Sequence, residues 1–566
     1  MQKFHEIEYV RPDLEKLSDA YLKGVKKLEE AQTIEEAKEG IIECEETSNE
    51  LYTAHTVAYV RNTMNTQDEF YESEIEFFNN EYPKLIPLFK QYRKALLNSR
   101  FREDLEKDFG KQLFRINEAE EKTQDEAIID DLVEESRLGV EYQKLAASCS
   151  TEFMGETCNF YGLLKHMQNP DRNVRREAYL AWASLYEGIS QDLDRIYDEL
   201  VKVRVEMARK LGFDNYTALG YLNNKRMDYT REDVAKFRQQ VKRVIVPFCE
   251  KIRKEQAKRI GVDKIKYYDE SFMFPEGNPN PVGNKDQMIA WAQEMYNEMS
   301  KETGEFFNFM VEYDLFDLET RPGKHLGGYC TVMPTFKAPF IFSNFNGTSA
   351  DVDVLTHEAG HSFQYYVSSR NVPLDSLSFS TNEINEVHSM TMEYFAYPWM
   401  DKFFGDKADL YKYFHLCENV LFIPYIICVD EFQHRVYDNP SMTAEERYQV
   451  WKELEMEYLP GRDYDGVEFL EKGGFWMQKQ HIFLDPFYYI DYALAQMNAM
   501  ELFARYLDDR EKAFSDYLAL CKRGGSIGYF ELLESANLSN SFEEGTVEKV
   551  TKRVFEEIEK LGKRLP

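Results

Sequence analysis

From about residue 11 to 135, apolar residues recur three or four positions apart between charged ones, which is the period of helices with one buried face. The segment YPKLIPLFKQYRKALL (82–97) shows it plainly. Between about 140 and 165 the period breaks. There YQKLAASCSTEFMGETCNFYGLL carries Ser, Thr and Gly, and predicts a hairpin or an irregular crossover. Helical spacing resumes in NPDRNVRREAYLAWASLYEGI, where Asp171 can act as an N-cap after Pro170, and it runs to about residue 258. Gly and Pro gather at 275–283 and again at 321–347. The second stretch, RPGKHLGGYCTVMPTFKAPFIFSNFNG, mixes short apolar runs with turn residues and predicts a small β-sheet near residues 326–347. From Asp351 onward helix dominates again. No internal repeat, low-complexity tract or flexible linker interrupts the chain, so its regions are expected to pack as one body.

Composition sharpens this to a mainly α fold. Only 28 Gly and 18 Pro punctuate 566 residues, which favours long helices over many short strands. Hydrophobic residues make up 43%, enough for a large core and too many for extended disorder. A formal net charge of −32 repels phosphate backbones, so no nucleic-acid partner is expected. The eight Cys form no CxxC pair and read as free, buried thiols of a reducing compartment. The first 15 residues are charged and lack the apolar core of a signal peptide. The longest uncharged apolar run, Val420–Val429, is too short to span a bilayer and reads as a buried helix. These features predict a cytoplasmic protein with no membrane partner.

Candidate chemistry concentrates in DVDVLTHEAGHSFQYYV (351–367). His357 and His361 stand four apart, about 40° around a helix, so both imidazoles face one side. That spacing suits adjacent corners of a zinc tetrahedron. Glu358 follows the first His and can reach a water beside the ion without ligating it. From the His and total acid content, the chance expectation for this pattern is about 0.03 occurrences. A catalytic zinc needs a third protein ligand. The next helical stretch, NEINEVHSMTMEYFAYPWM, starts about 25 residues on, after a loop marked by Pro373. It offers Glu383, Glu386, His388 and Glu393. The three Glu share a face, and periodicity does not choose among them.

These segments resemble the oligoendopeptidase F and thimet oligopeptidase-like zinc metallopeptidases, most closely the Pz-peptidase branch. The likeness rests on HEAGHSFQ (357–364), NEVHSMTMEYF (385–395), LGGYC (326–330), LGFDNY (211–216) and NPDRNVRREAY (169–179). PFYYIDYALAQ (486–496) and GGS (524–526) extend it, so it spans about residue 140 to the C-terminus. The resemblance implies one Zn2+ per chain, with Glu386 of an E-V-x-S segment as third ligand beside His357 and His361. Glu393 would orient a ligating imidazole, and His388, not a ligand in this segment, would pack or stand behind a ligand. It also implies a late His and two or more Tyr that close over the substrate. Here these are His481, Tyr489 and Tyr492, the two Tyr on a helix expected to begin at Pro486 after an Asp485 cap. Gly327, Gly328 and Tyr329 would belong to an edge strand that binds peptide backbone.

The fold expected from the resemblance is a large helical ellipsoid with a deep channel and a zincin-type core. Residues 1–200 would form an N-terminal helical region along one channel wall, and residues 201–566 the catalytic region. The function expected is a zinc endopeptidase acting on internal bonds of short oligopeptides, with Glu358 as base. A zinc exopeptidase and a non-catalytic helical peptide-binding protein are the competing readings.

Overall fold

The computed structural model describes residues 1–325 and 327–565. The fold is mainly α, with 72% of the chain helical. Its contacts resolve into two compact, discontinuous units. The first comprises Met1–Glu126, Asn280–Ala408 and Asn498–Asn540; the second comprises Ala127–Pro279, Asp409–Met497 and Ser541–Pro566. No boundary falls at residue 200. The grouping follows tertiary packing, which joins stretches far apart in sequence.

Several helix starts follow local chemistry. Asp171 accepts the N–H of Asn173 and caps Arg172–Lys210, as its place after Pro170 predicts. Asn215 of LGFDNY likewise caps Tyr216–Asn223. The apolar run Val420–Val429 lies inside the helix Ala408–Asp438, where Val420, Ile423, Ile426, Ile427 and Val429 are buried.

Five strands occur among the described residues. β1 (Thr151–Phe153) and β2 (Glu156–Cys158) form an antiparallel hairpin in the second unit. Its two-residue turn, Met154–Gly155, has positive φ at both positions, which matches the twist of paired strands. The 140–165 break is therefore a hairpin. In the first unit β3 (Phe316–Glu319), β4 (Tyr329–Met333) and β5 (Ala338–Phe345) form one sheet in the order β3–β5–β4. This is the small sheet expected near 326–347, with one strand added upstream. β5 is almost wholly buried, which is why its sequence APFIFSNF reads as a continuous apolar run. β4 pairs antiparallel with β5, Tyr329 opposite Phe342, and lies at the edge.

In the second unit Lys479 is part-buried, with its ammonium 4.9 Å from the Tyr489 ring centroid and 5.7 Å from that of Tyr425. Burial pushes its pKa down to about 8. Below pH 8 the folded protein carries this charge at a cost. Between pH 8 and 10.5 the unfolded chain binds more protons, so stability rises with pH there. Lys479→Met should therefore raise the thermal midpoint at pH 7. The advantage should shrink as pH climbs from 8 toward 10.5, in paired melting curves. A difference independent of pH would show that the charge is not the cause.

Candidate metal centre

His357 and His361 lie on the helix Ala350–Ser368. Its first turn is anchored by Asp351, whose carboxylate accepts the N–H groups of Asn346 (2.9 Å) and Gly347 (2.7 Å). The helix is held from below by Phe363, whose ring stacks on Tyr517 at 6.1 Å and meets Phe306 edge-on at 5.6 Å. After the loop containing Pro373, the chain returns in the helix Asn382–Phe395. The two helices cross at Gly360. A Cβ there would stand 2.6 Å from Ser389 Cα and 2.7 Å from the His388 carbonyl oxygen, so only glycine allows this approach.

That crossing decides which glutamate meets the imidazoles. Glu386 Oε2 lies 3.3 Å from His357 Nε2 and 3.5 Å from His361 Nε2. One donor atom from each of the three residues falls within a 4.8 Å cluster. Ser389, one turn on, donates to the same Glu386 oxygen at 2.9 Å and holds the carboxylate in place. Glu393 Oε1 pairs with the far nitrogen, His357 Nδ1, at 2.6 Å. With an ion bound, this contact would keep the proton on Nδ1 and turn the Nε2 lone pair to the metal. Glu383 is buried with neither carboxylate oxygen hydrogen-bonded, and it is outside the cluster. His388 is buried too. Its carbonyl accepts from Tyr517 Oη at 2.9 Å, and its ring packs edge-on to Tyr517 at 5.9 Å, which is a packing role.

The electrostatics fit a cation. Burial works against a charged His357, yet hydrogen bonds to Glu386 and Glu393 outweigh it and raise its pKa well above the usual imidazole range. Burial likewise favours a neutral Glu386, but the two imidazoles hold its carboxyl well below the usual range. His388 is pushed down to about 3 by burial, with the charge of His361 adding to it, so it stays neutral. Burial raises the Glu358 carboxyl; the two imidazoles oppose this and Glu386 and Glu393 assist it. Glu393→Gln should weaken zinc binding by about 10–100-fold, measured by competition with a chromophoric chelator. Unchanged affinity would mean that the Nδ1 contact does not tune the ligand.

The two glycines that precede β4 separate into two kinds. Gly327 has φ of +90° and is exposed, and among the described residues a Cβ there would meet nothing within 4 Å beyond its chain neighbours. Gly328 is exposed as well, but a Cβ would crowd Val354 Cγ1 at 3.2 Å. Asn344 Nδ2 donates to the carbonyls of His325 and Gly327, 2.8 Å each, and shapes this turn. Tyr329 begins β4; its hydroxyl meets Thr63 Oγ1 at 2.6 Å and its ring stacks on Phe342 at 4.8 Å. Tyr329 is thus tied into the unit by its side chain, and only its backbone lies on the sheet edge. Leu326 of LGGYC lies outside the described residues. Beside the motif helix, Cys330 Sγ meets Ser362 Oγ at 3.2 Å, a neighbour that spacing alone did not reveal. The glycines of GGS are packing residues: a Cβ at Gly525 would stand 2.1 Å from the Phe379 carbonyl oxygen, in the loop that leads to the Glu386 helix.

In the second unit His481 lies on the helix Gln480–Leu484. Its ring is 4.9 Å from that of Tyr489 and 6.0 Å from that of Tyr492, and the two Tyr rings are 5.5 Å apart. The three therefore gather as one cluster. The two Tyr do not share a helix: the expected start at Pro486 is incorrect, and the helix begins at Ile490. Phe487 takes a left-handed φ of +65°, incompatible with a helical turn. Its N–H donates to Gln433 Oε1 at 2.9 Å, and its carbonyl accepts from Arg226. These long-range bonds overrule the local Asp-Pro signal.

Two imidazoles and one carboxylate, with a glutamate next to the first His on its helix, define the donor set of a hydrolytic metallopeptidase centre. Comparison with known proteins agrees. The Peptidase M3 N-terminal domain matches residues 4–124, and Peptidase family M3 matches residues 165–280 and 283–551. The chain belongs to peptidase family M3. It is 45% identical to the solved structure of PZ peptidase A with an inhibitor, with a TM-score of 0.95 over 99% of each chain. It is 22% identical to the oligoendopeptidase F homolog of Lactococcus lactis subsp. lactis and 23% identical to that of Borreliella burgdorferi. Those two alignments cover 66% and 64% of this chain, and 61% and 60% of the relatives' lengths.

Proposed function

We propose that this chain is a zinc peptidase that hydrolyses internal bonds of oligopeptides, with His357, His361 and Glu386 holding the ion and Glu358 moving the proton. The observation that carries the reading is the Glu386 carboxylate oxygen placed within 3.5 Å of the Nε2 atoms of both imidazoles. Three protein donors are the number a catalytic zinc site uses; structural sites use four. A bound zinc would polarise the scissile carbonyl and bring the pKa of its water near 7. Glu358 sits on the next residue of the same helix and, with its pKa raised, suits both taking a proton from water and returning it to the departing amine. The resemblance assigns His481, Tyr489 and Tyr492, which cluster with one another in the second unit, to hydrogen-bonding a developing oxyanion.

Substrate would add to the edge of β4 by backbone hydrogen bonds, Gly327 and Gly328 allowing close approach. That mode reads main chain and tolerates varied side chains. The eight free thiols accord with a cytoplasmic enzyme, which is part of the same reading. The test is mass spectrometry of the products of a ten-residue peptide, before and after chelation and after zinc is restored. Internal fragments that vanish on chelation and return with zinc are expected. Stepwise loss of terminal residues would replace the endopeptidase reading, and chelator-resistant turnover would remove the metal from it.

A further inference from the structure

The hairpin of the second unit and the helix behind it assemble another set of metal-type donors. Glu156 and Cys158 bracket β2, two residues apart, so their side chains leave the same face of the strand. Asn159 then caps the helix Phe160–His166 by accepting the Gly162 N–H at 3.0 Å, and two turns later the chain delivers His166 beside the strand. One donor atom from each of Glu156, Cys158 and His166 lies within 4.8 Å of the others.

The surroundings are shaped for this convergence. A Cβ on Gly162 would stand 3.1 Å from Cys158 Cβ and 3.3 Å from its Sγ, so the glycine lets the helix lie against the thiol. The Phe153 ring packs 5.0 Å from the His166 imidazole and limits its rotation. Among the described residues, the Glu156 carboxylate, the Cys158 thiol and both His166 ring nitrogens make no hydrogen bond or ion pair. Cys158 is buried, and burial together with the charges of Glu156 and Glu152 raises its pKa, Lys165 opposing. Negative charge that disfavours a bare thiolate favours a cation beside it.

We propose that Cys158, His166 and Glu156 form a second divalent-metal site of zinc type, built from other residues than the HExxH centre, which ties the hairpin to its following helix. Thiolate and imidazole donors select zinc-like ions over magnesium or calcium, and solvent completes the coordination. On binding, the Cys158 S–H bond breaks, a sulfur–metal bond forms and one proton leaves to solvent; nothing is oxidised or reduced.

The experiment uses the full-length chain, stripped with a chelator and then loaded with cobalt(II) or zinc. The HExxH donors include no sulfur, so a sulfur-to-cobalt charge-transfer band in the near ultraviolet reports the second site alone. The expected result is that band in the wild type and in His357→Ala and Cys330→Ser, with loss in Cys158→Ser. Zinc bound per chain should fall from two ions to one in Cys158→Ser. His166→Gln, at a part-exposed position, should weaken the second zinc at least tenfold and guards against a misfolded Cys158 variant. A wild type that binds a single ion without the band would overturn the proposal, as would a band that survives in both Cys158→Ser and His166→Gln. Neither result bears on the peptidase reading, whose test is chelation and product mapping.

Discussion

Glu358→Gln is expected to lower peptide turnover by about 10²–10⁴-fold, the range that general acid–base catalysis contributes. The amide keeps the size of the carboxylate and removes its capacity to take a proton. Glu358 is buried and is not one of the three clustered donors, so the substitution should leave zinc content and the melting curve nearly unchanged. That combination separates a proton carrier from a ligand. His357→Ala or Glu386→Ala would lose the ion along with activity. Turnover within a few-fold of wild type, at full zinc occupancy, would exclude Glu358 as the base. Loss of zinc in Glu358→Gln would instead make it a ligand.

Gly360→Ala is expected to do comparable damage by a different route. The new methyl would overlap Ser389 Cα and the His388 carbonyl, which are backbone atoms of the crossing helix and have no rotamer to yield. The helices must separate, and overpacking of this sort costs about 1–3 kcal/mol. Separation also carries Glu386 away from the imidazoles, and a 1 Å misplacement can cost about 10²-fold in rate. The expected outcome is a lower thermal midpoint, weaker zinc binding and a steep fall in turnover together. Gly188→Ala is the matched control. It lies in the helix Arg172–Lys210 with nothing within 4 Å of an added Cβ, so it should be neutral or stabilising by about 0.5–1 kcal/mol. If Gly360→Ala behaved like Gly188→Ala, the two helices would not be in the close contact that selects Glu386.

Local patterns reached far in this chain. The four-residue interval between His357 and His361 places two imidazoles on one side of any helix, whatever surrounds it. The Asp171 cap, the 326–347 sheet and the buried Val420–Val429 run were likewise legible, because each depends on neighbours a few residues away. The break in period at 140–165 fits a hairpin or a crossover equally, and the pairing of β1 with β2 makes it a hairpin. Where the pattern failed, distant groups had intervened. Asp485-Pro486 has the look of a helix start, yet Gln433 and Arg226 hold Phe487 in a left-handed turn and delay the helix to Ile490.

The sequence by itself determined a helical chain, a pair of metal-type imidazoles with a neighbouring carboxylate, and three glutamates on one following face. Periodicity does not choose among those glutamates; the resemblance points to Glu386, and the tertiary structure supplies the physical reason. Gly360 sets where the helices touch, which puts Glu386 against both Nε2 atoms, turns Glu393 to Nδ1 and leaves Glu383 buried apart. Periodicity specifies direction around a helix axis. The distance and stagger between two helices depend on how their side chains interlock, and no single segment contains that information.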